Sequence, residues 1–274
     1  MLPISNSELT TFRRCPRQHA LTYGRSLVPL SEPPPYAATE LGSAIHAVLE
    51  SVYRDGDTAA LDALEQDDSR AGRIVYFTTL KYLDWVESTG IMQGRTIIQC
   101  EATANKNPYI GKIDRIDELE DGRRVIVDYK TTGMPPPRKA AELAFSTQPL
   151  HYAWLTGIRD VEFHIIPRYS GTLGSEWDEL RVEVVNYHFS RERLDAYEHH
   201  LRLWTPSLLR NRERGQALQI PEITPSPAAD CAYMCPFTEV CLSGDEDSAT
   251  MEFMLNEAFA PGDVLARYGR DVDE

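Results

Sequence analysis

The sequence has no run approaching the roughly 18 apolar residues that cross a bilayer, and Met1 to Leu9 lacks the basic-then-apolar order of a secretory signal. It has no internal repeat and no Gly-x4-Gly-Lys-Ser/Thr phosphate loop. The expectation is a cytoplasmic globular chain that is neither a membrane-spanning helical protein, nor a solenoid, nor a P-loop ATPase. Positive charge is scarce too: 28 Lys and Arg stand against 42 Asp and Glu, a net charge of −14. A chain this acidic does not coat nucleic acid by bulk attraction, because phosphate binding needs clustered cations, so any such contact must be local. Cysteine is sparse, with five in 274 residues. That is a poor basis for a disulfide framework in a reducing compartment.

What is present supports one sizeable core, or a core plus a peripheral lobe, from 42% hydrophobic residues. Ser5 and Ser7 precede a short apolar-periodic stretch (Leu9, Phe12) that delivers Cys15 at the end of a capped helix. Leu41, Ile45, Val48, Leu49 and Val52 recur at helical spacing between Ala38 and Tyr53, and a second helix is expected from Arg70 to Glu87. The period then changes to two, giving strands at 95–102, 109–119 and 123–131, with turn residues at Asn105, Asn107, Pro108, Asp121 and Gly122. Pro135, Pro136 and Pro137 break the chain. Beyond them the pattern predicts a helix over 149–156, strands over 161–168 and 180–189, and a helix over 191–209. Pro221, Pro225 and Pro227 form a stiff linker into a cysteine-rich segment. From Leu242 to Glu274, nine acids and two bases supply −7, half the net charge, which reads as a solvated appendage.

The chemistry-bearing signal is Gly111-Lys112-Ile113-Asp114, thirteen intervening residues, then Asp128-Tyr129-Lys130. Residues two apart on a strand share a face, so Asp128 and Lys130 point together while Tyr129 points into the core. A three-residue loop, Glu120-Asp121-Gly122 with Gly122 left-handed, makes the numbers of facing hairpin partners add to 242 and sets Asp114 across from Asp128. Facing carboxylates whose Cβ atoms are about 4.5–5.5 Å apart repel unless a cation lies between them. Hard oxygen ligands suit magnesium or manganese, and Lys130 beside them could hold an attacking water or stabilise a pentavalent oxyanion. This set suits phosphodiester hydrolysis.

Gly-x-Ile-Asp-Arg-Ile-Asp followed by Val-Asp-Tyr-Lys-Thr resembles motifs II and III of the PD-(D/E)xK nucleases, in the iron–sulfur branch that includes RecB-type and CRISPR-associated enzymes. Leu41-Gly42-Ser43-Ala44-Ile45-His46 is similar to the family's helical motif carrying a metal-binding histidine. Gln148-Pro149-Leu150-His151-Tyr152 is similar to its Gln-x-x-x-Tyr motif. The resemblance implies an α/β fold with a mixed central sheet flanked by helices, a restriction-endonuclease-like core. It also implies that His46, Asp114, Asp128 and the Tyr129 carbonyl bind Mg2+ or Mn2+, and that Asp114, Asp128 and Lys130 are catalytic. Glu101 would be an accessory acid, and Gln148 and Tyr152 would meet DNA. The implied activity is that of a metal-dependent DNA exonuclease acting on single-stranded ends in recombination, repair or replication. Two rival readings are a CRISPR spacer-acquisition nuclease working with integrase partners and a non-catalytic DNA-end scaffold. Any helicase or recombination partner would be a separate protein.

Cys231-x3-Cys235-x5-Cys241 is too dense for packing alone and needs a fourth ligand, with zinc the common solution for such a set. In the resemblance Cys15 joins these three around a [4Fe-4S] cluster, although three residues (Ala232, Tyr233, Met234) stand where the family pattern has two. The domain expectation follows: 1–35 and 216–245 form an iron–sulfur lobe from both termini, 36–215 the nuclease core and 246–274 an acidic tail. Cys100, in an apolar strand, reads as a buried small hydrophobe.

Overall fold

The computed structural model describes residues 2–33, 37–169, 181–217, 220–229, 231–243 and 248–268. In chain order the elements are β1 (Ile4–Ser5), α1 (Asn6–Arg14), α2 (Pro16–His19), β2 (Leu27–Pro29), α3 (Ala38–Asp55), α4 (Ala59–Glu65), α5 (Arg70–Thr89), β3 (Arg95–Lys106), β4 (Tyr109–Leu119) and β5 (Arg124–Thr132). There follow α6 (Pro136–Leu143), α7 (Gln148–Thr156), β6 (Asp160–Pro167), β7 (Glu183–His188), α8 (Arg191–Gln216), α9 (Cys231–Met234), α10 (Thr238–Ser243), α11 (Ser248–Ala258) and β8 (Phe259–Pro261). The chain forms two compact units, one of Pro33–Asn105 and Gly111–Leu194, the other of Met1–Glu32, Lys106–Ile110 and Asp195–Glu274.

The first unit is built on a mixed sheet in which β3 pairs β4, β4 pairs β5 antiparallel, β5 pairs β6 parallel and β6 pairs β7 antiparallel. A parallel neighbour needs a long crossover, and 136–156 supplies it as α6 and α7. Pro136 occupies the first turn of α6, where its missing N–H costs nothing; the proline run that reads as a break therefore also starts a helix. Strand alternation sorts the core. Val125, Val127 and Tyr129 pack with Leu41, Ile45, Leu49 and Tyr82 of α3 and α5. Ile126 packs on the other side with Ile116, Phe163 and the α7 residues Tyr152 and Ala153. Gly111 lies so close to α7 that a Cβ there would stand 2.7 Å from Leu155.

The β4–β5 hairpin has the expected register: Arg115 faces Val127 and Ile116 faces Ile126, so partners add to 242. Gly122 has φ of +79°, its N–H donates to the Leu119 carbonyl at 2.9 Å, and the Leu119 N–H donates to the Arg123 carbonyl at 2.8 Å. A residue with a Cβ would be strained at that φ.

The second unit draws on both ends of the chain. β1 pairs in parallel with Tyr109 and Ile110, and β2 pairs antiparallel with β8. Ser5 caps α1 by accepting from the Glu8 N–H, and Cys15 closes that helix as expected. The segment from 248 to 261 is not the solvated appendage its charge suggested. Met251, Leu255 and Phe259, four residues apart, are buried against Leu21, Leu27 and Phe237, and Arg25 clasps Glu252 through two hydrogen bonds of 2.6 and 2.9 Å. Net charge hid this apolar spacing. Six of the nine acids, at 245–247, 271, 273 and 274, lie outside the described residues.

A buried polar cluster ties α1, α2 and α8 together. Glu8 is fully buried and ion-pairs with Arg212, whose guanidinium also donates to the Leu2 and Pro3 carbonyls at 2.8 and 3.0 Å. Asn211 donates to His19 Nδ1 at 2.9 Å, which leaves His19 Nε2–H to donate to Glu8 at 2.9 Å. Burial holds the His19 pKa down, consistent with a neutral imidazole in that role. Removing one partner leaves a buried charge uncompensated, so Arg212→Met should lower stability by about 3–5 kcal/mol. The double variant Glu8→Gln/Arg212→Met should lose less. Urea denaturation of the three proteins checks this, and equal losses in single and double variants would defeat it.

Candidate active site

The residues singled out in the sequence converge within the first unit, at the end of the β4–β5 hairpin remote from its turn. The ladder's last pair is Arg115–Val127. One residue on, the Asp114 side chain takes the place of a backbone partner: its Oδ2 accepts the Tyr129 N–H at 2.7 Å. From α3, His46 Nδ1 approaches Asp114 Oδ1 at 3.2 Å, on the helix that buries Leu41, Ile45 and Leu49 and so presents His46 at its margin. Asp128 forms an ion pair with Lys130 on the shared strand face, and the Lys130 ammonium lies 5.0 Å from the centre of the Phe163 ring. From α7, Gln148 Nε2 donates to Tyr152 Oη at 2.7 Å and reaches Asp128 Oδ2 at 3.5 Å.

Glu101 is the residue that the structure promotes. It sits in the middle of β3 with φ of +51°, a left-handed conformation rare for a residue with a Cβ and typical of a bulge that re-aims a side chain. One ligand atom each of His46, Glu101 and Asp114 lies within 4.8 Å of the others. Glu101 Oε2 is also 2.5 Å from Lys112 Nζ. An imidazole nitrogen and two carboxylates, with Asp128 nearby, form a hard donor set fit for a small divalent cation. Neither the strand pattern nor the resemblance pointed to Lys112. Its only signal was its place in Gly111-Lys112-Ile113-Asp114.

Burial and mutual repulsion set the electrostatics. Burial pushes the Asp128 carboxyl up, Asp114 adds to the push and Lys130 opposes it, leaving a pKa of about 6. Burial also works against Asp114, but His46, Lys130 and the Tyr129 N–H hold its pKa below the ordinary value. Burial would depress His46, yet Asp114 and Asp128 raise it overall. Burial lifts the Glu101 carboxyl, and Lys112 pulls it back in part.

Behind the site, the Tyr129 ring is held on the opposite sheet face. Arg115 donates to Tyr129 Oη at 2.9 Å and to Asp117 at 2.9 Å, and Arg95 bridges Asp117 to Glu162. Glu162 contacts His164, whose Nδ1 meets Tyr82 Oη at 2.8 Å. Cys100, expected to be buried, is only half-buried on β3.

In the second unit, Cys15, Cys231, Cys235 and Cys241 all line one cavity of about 220 Å³. Backbone N–H groups of Gln18 and Ser226 point at Cys15 Sγ, each at 3.5 Å, and that of Ala228 at Cys231 Sγ at 3.4 Å. Among the described residues, no three of these sulfurs come within 4.8 Å of one another.

The raised pKa of Asp128 has a defined sign. The folded state holds that proton more tightly than the unfolded chain, so ionising Asp128 costs stability as pH rises from the ordinary 3.8 through about 6. In EDTA near neutral pH, Asp128→Asn should therefore be more stable than the parent by about 1–3 kcal/mol. The advantage should vanish towards pH ~4. Thermal melts across that range decide it, and a variant less stable at neutral pH would contradict the repulsion described.

Residues 3–242 match the family model of the PD-(D/E)XK nuclease superfamily. No curated protein matches the sequence. Among solved structures, a phage-related exonuclease from Haemophilus somnus 129PT is 11% identical, with 76% of this chain and 95% of that one covered and a TM-score of 0.36. LHK-Exo in complex with dAMP is 12% identical, with 80% and 94% covered and a TM-score of 0.37. The assignment rests on the family match, which runs through both halves of the hairpin, the α3 histidine and the α7 glutamine: the chain belongs to the PD-(D/E)XK nuclease superfamily and is a metal-dependent nuclease.

Proposed function

We propose that this nuclease is a DNA exonuclease that hydrolyses phosphodiesters from single-stranded ends, in recombination, repair or replication. The observation that carries the reading is the convergence of Asp114, Asp128, Lys130 and His46 at the open end of one hairpin. His46, Asp114, Asp128 and the Tyr129 carbonyl would hold magnesium or manganese, with Glu101 as a further ligand. The ion supplies Lewis acidity toward the phosphate and a lowered pKa for water. Lys130, paired with Asp128 and braced over Phe163, orients the attacking water and faces charge developing on the phosphorus oxygens. Gln148 and Tyr152, joined by a hydrogen bond along one face of α7, are placed to contact the DNA strand beside Asp128.

The second unit is proposed to carry a [4Fe-4S] cluster on Cys15, Cys231, Cys235 and Cys241. One zinc ion with Zn–S bonds of about 2.3 Å would draw its thiolates closer than these sulfurs stand, whereas a cubane gives each thiolate its own iron. The shared cavity and the N–H groups aimed at sulfur support the same choice. Its role is structural, since it closes a loop from residue 15 to residue 231 and beyond.

Digestion of 5′- and 3′-labelled single- and double-stranded DNA tests the first proposal. Cleavage from ends should need Mg2+ or Mn2+ and stop in EDTA. Asp114→Ala, Asp128→Ala and Lys130→Ala should each slow it by roughly 10²–10⁴-fold while remaining folded. Metal-dependent cleavage retained in Asp128→Ala would sink the site assignment.

The cluster is tested by colour and composition. Protein purified without oxygen should be yellow-brown and carry iron and sulfide. Cys15→Ala should bleach it and lower stability by about 3–5 kcal/mol, as for loss of a long-loop crosslink, while a Cys100 substitution leaves the colour intact. Zinc in place of iron, or full colour in Cys15→Ala, would refute it.

A further inference from the structure

Each acid of the site is paired with its own base: Asp114 with His46, Asp128 with Lys130, and Glu101 with Lys112. Two of those bases already have a use in the proposed chemistry. Lys112 does not, although its ammonium contacts a carboxylate that lies within 4.8 Å of the other two ligand atoms. The pair is asymmetric, with a Lys112 side chain 35% exposed and a Glu101 side chain 15% exposed. The cation therefore faces the solvent from which a substrate arrives, and the carboxylate faces the metal ligands. The backbone at Glu101 is left-handed in mid-strand, a conformation that a surface ion pair does not need.

We propose that Lys112 is a phosphate-contacting residue of the active site, held by Glu101 in the metal-free protein and freed for the DNA backbone when Glu101 turns to the divalent cation. This rests on the nuclease reading above. A carboxylate offered both a monovalent ammonium and a divalent ion at similar distance favours the higher charge. Freeing Lys112 then adds positive charge where the phosphate enters, in a chain whose net charge of −14 otherwise repels it. Metal binding and DNA binding thereby become coupled through one side chain, and the coupling is reciprocal.

Three variants test this: Lys112→Met, Lys112→Arg and Glu101→Gln, each checked for folding by thermal melt. Two quantities are read, neither of them activity: Mn2+ affinity by calorimetry, and affinity for fluorescein-labelled DNA as a function of salt, in Ca2+ and in EDTA. Lys112→Met should bind Mn2+ roughly two- to fivefold more tightly, since the competing partly exposed ion pair is gone. The same variant should bind DNA in Ca2+ more weakly, with a log–log salt slope smaller by about one. Lys112→Arg should keep the parent slope. Glu101→Gln should bind Mn2+ more weakly yet bind DNA in EDTA better than the parent does, because Lys112 is free from the start. Opposite signs for metal and DNA in Lys112→Met are what a merely structural lysine would not give. An unchanged salt slope in Lys112→Met, or no gain in EDTA for Glu101→Gln, overturns the proposal and leaves the nuclease reading standing. A parent protein that binds neither Mn2+ nor DNA would overturn both.

Discussion

The register of one hairpin governs the rest of the site. Gly122 takes without strain a φ that residues with a Cβ rarely adopt, the loop after Leu119 holds three residues, and Arg115 faces Val127. A slip of one position would turn every side chain of one strand to the other face. Asp128 and Lys130 would then point into the layer that packs Val127 and Tyr129 against α3 and α5, and Tyr129 would leave the Arg115 guanidinium. The ladder also ends where it must. Past Arg115–Val127 the strands no longer pair, and the freed Tyr129 N–H is claimed by Asp114.

Placing carboxylates this close is costly, and the fold meets the cost with matched bases. The mismatch survives at Asp128, whose pKa of about 6 records its burial first and the Asp114 charge second, with Lys130 offsetting only part of the two. A cation placed there would offset both the burial of that charge and its repulsion by Asp114. The rigidity needed to sustain it comes from the other sheet face, where Arg115, Asp117, Arg95, Glu162, His164 and Tyr82 form a continuous buried polar chain behind Tyr129. Breaking that chain would leave charges buried without partners, so the strand carrying Asp128 and Lys130 cannot readily shift.

Much of this was legible in the sequence because it depends on local pattern. Period-two alternation located the three strands around the site, while Gly122 suited either a two- or a three-residue loop and only the structure has the register that adds to 242. Four-residue spacing brought Gln148 and Tyr152 to one face of α7, whereas His46 was singled out only by the resemblance. What escaped depended on tertiary context. No local rule announces that Glu101 will be left-handed in mid-strand. The Glu8–Arg212 pair joins residues at opposite ends of the chain. The apolar face of α11 was masked by a composition dominated by acids, six of which fall outside the described residues.

The two units differ in donor chemistry, and that difference argues for separate tasks. Carboxylate oxygens and one borderline imidazole nitrogen around Asp114 make a mainly hard donor set; it suits an ion that keeps open positions for water and phosphate. The four thiols that line the other cavity are soft donors, three of them close in sequence between residues 231 and 241 and the fourth delivered by the end of α1. Soft ligands that all belong to the protein leave no position for a substrate. The proposed centre would hold chain segments together, and the segments here are the first helix and the last cysteines of one unit.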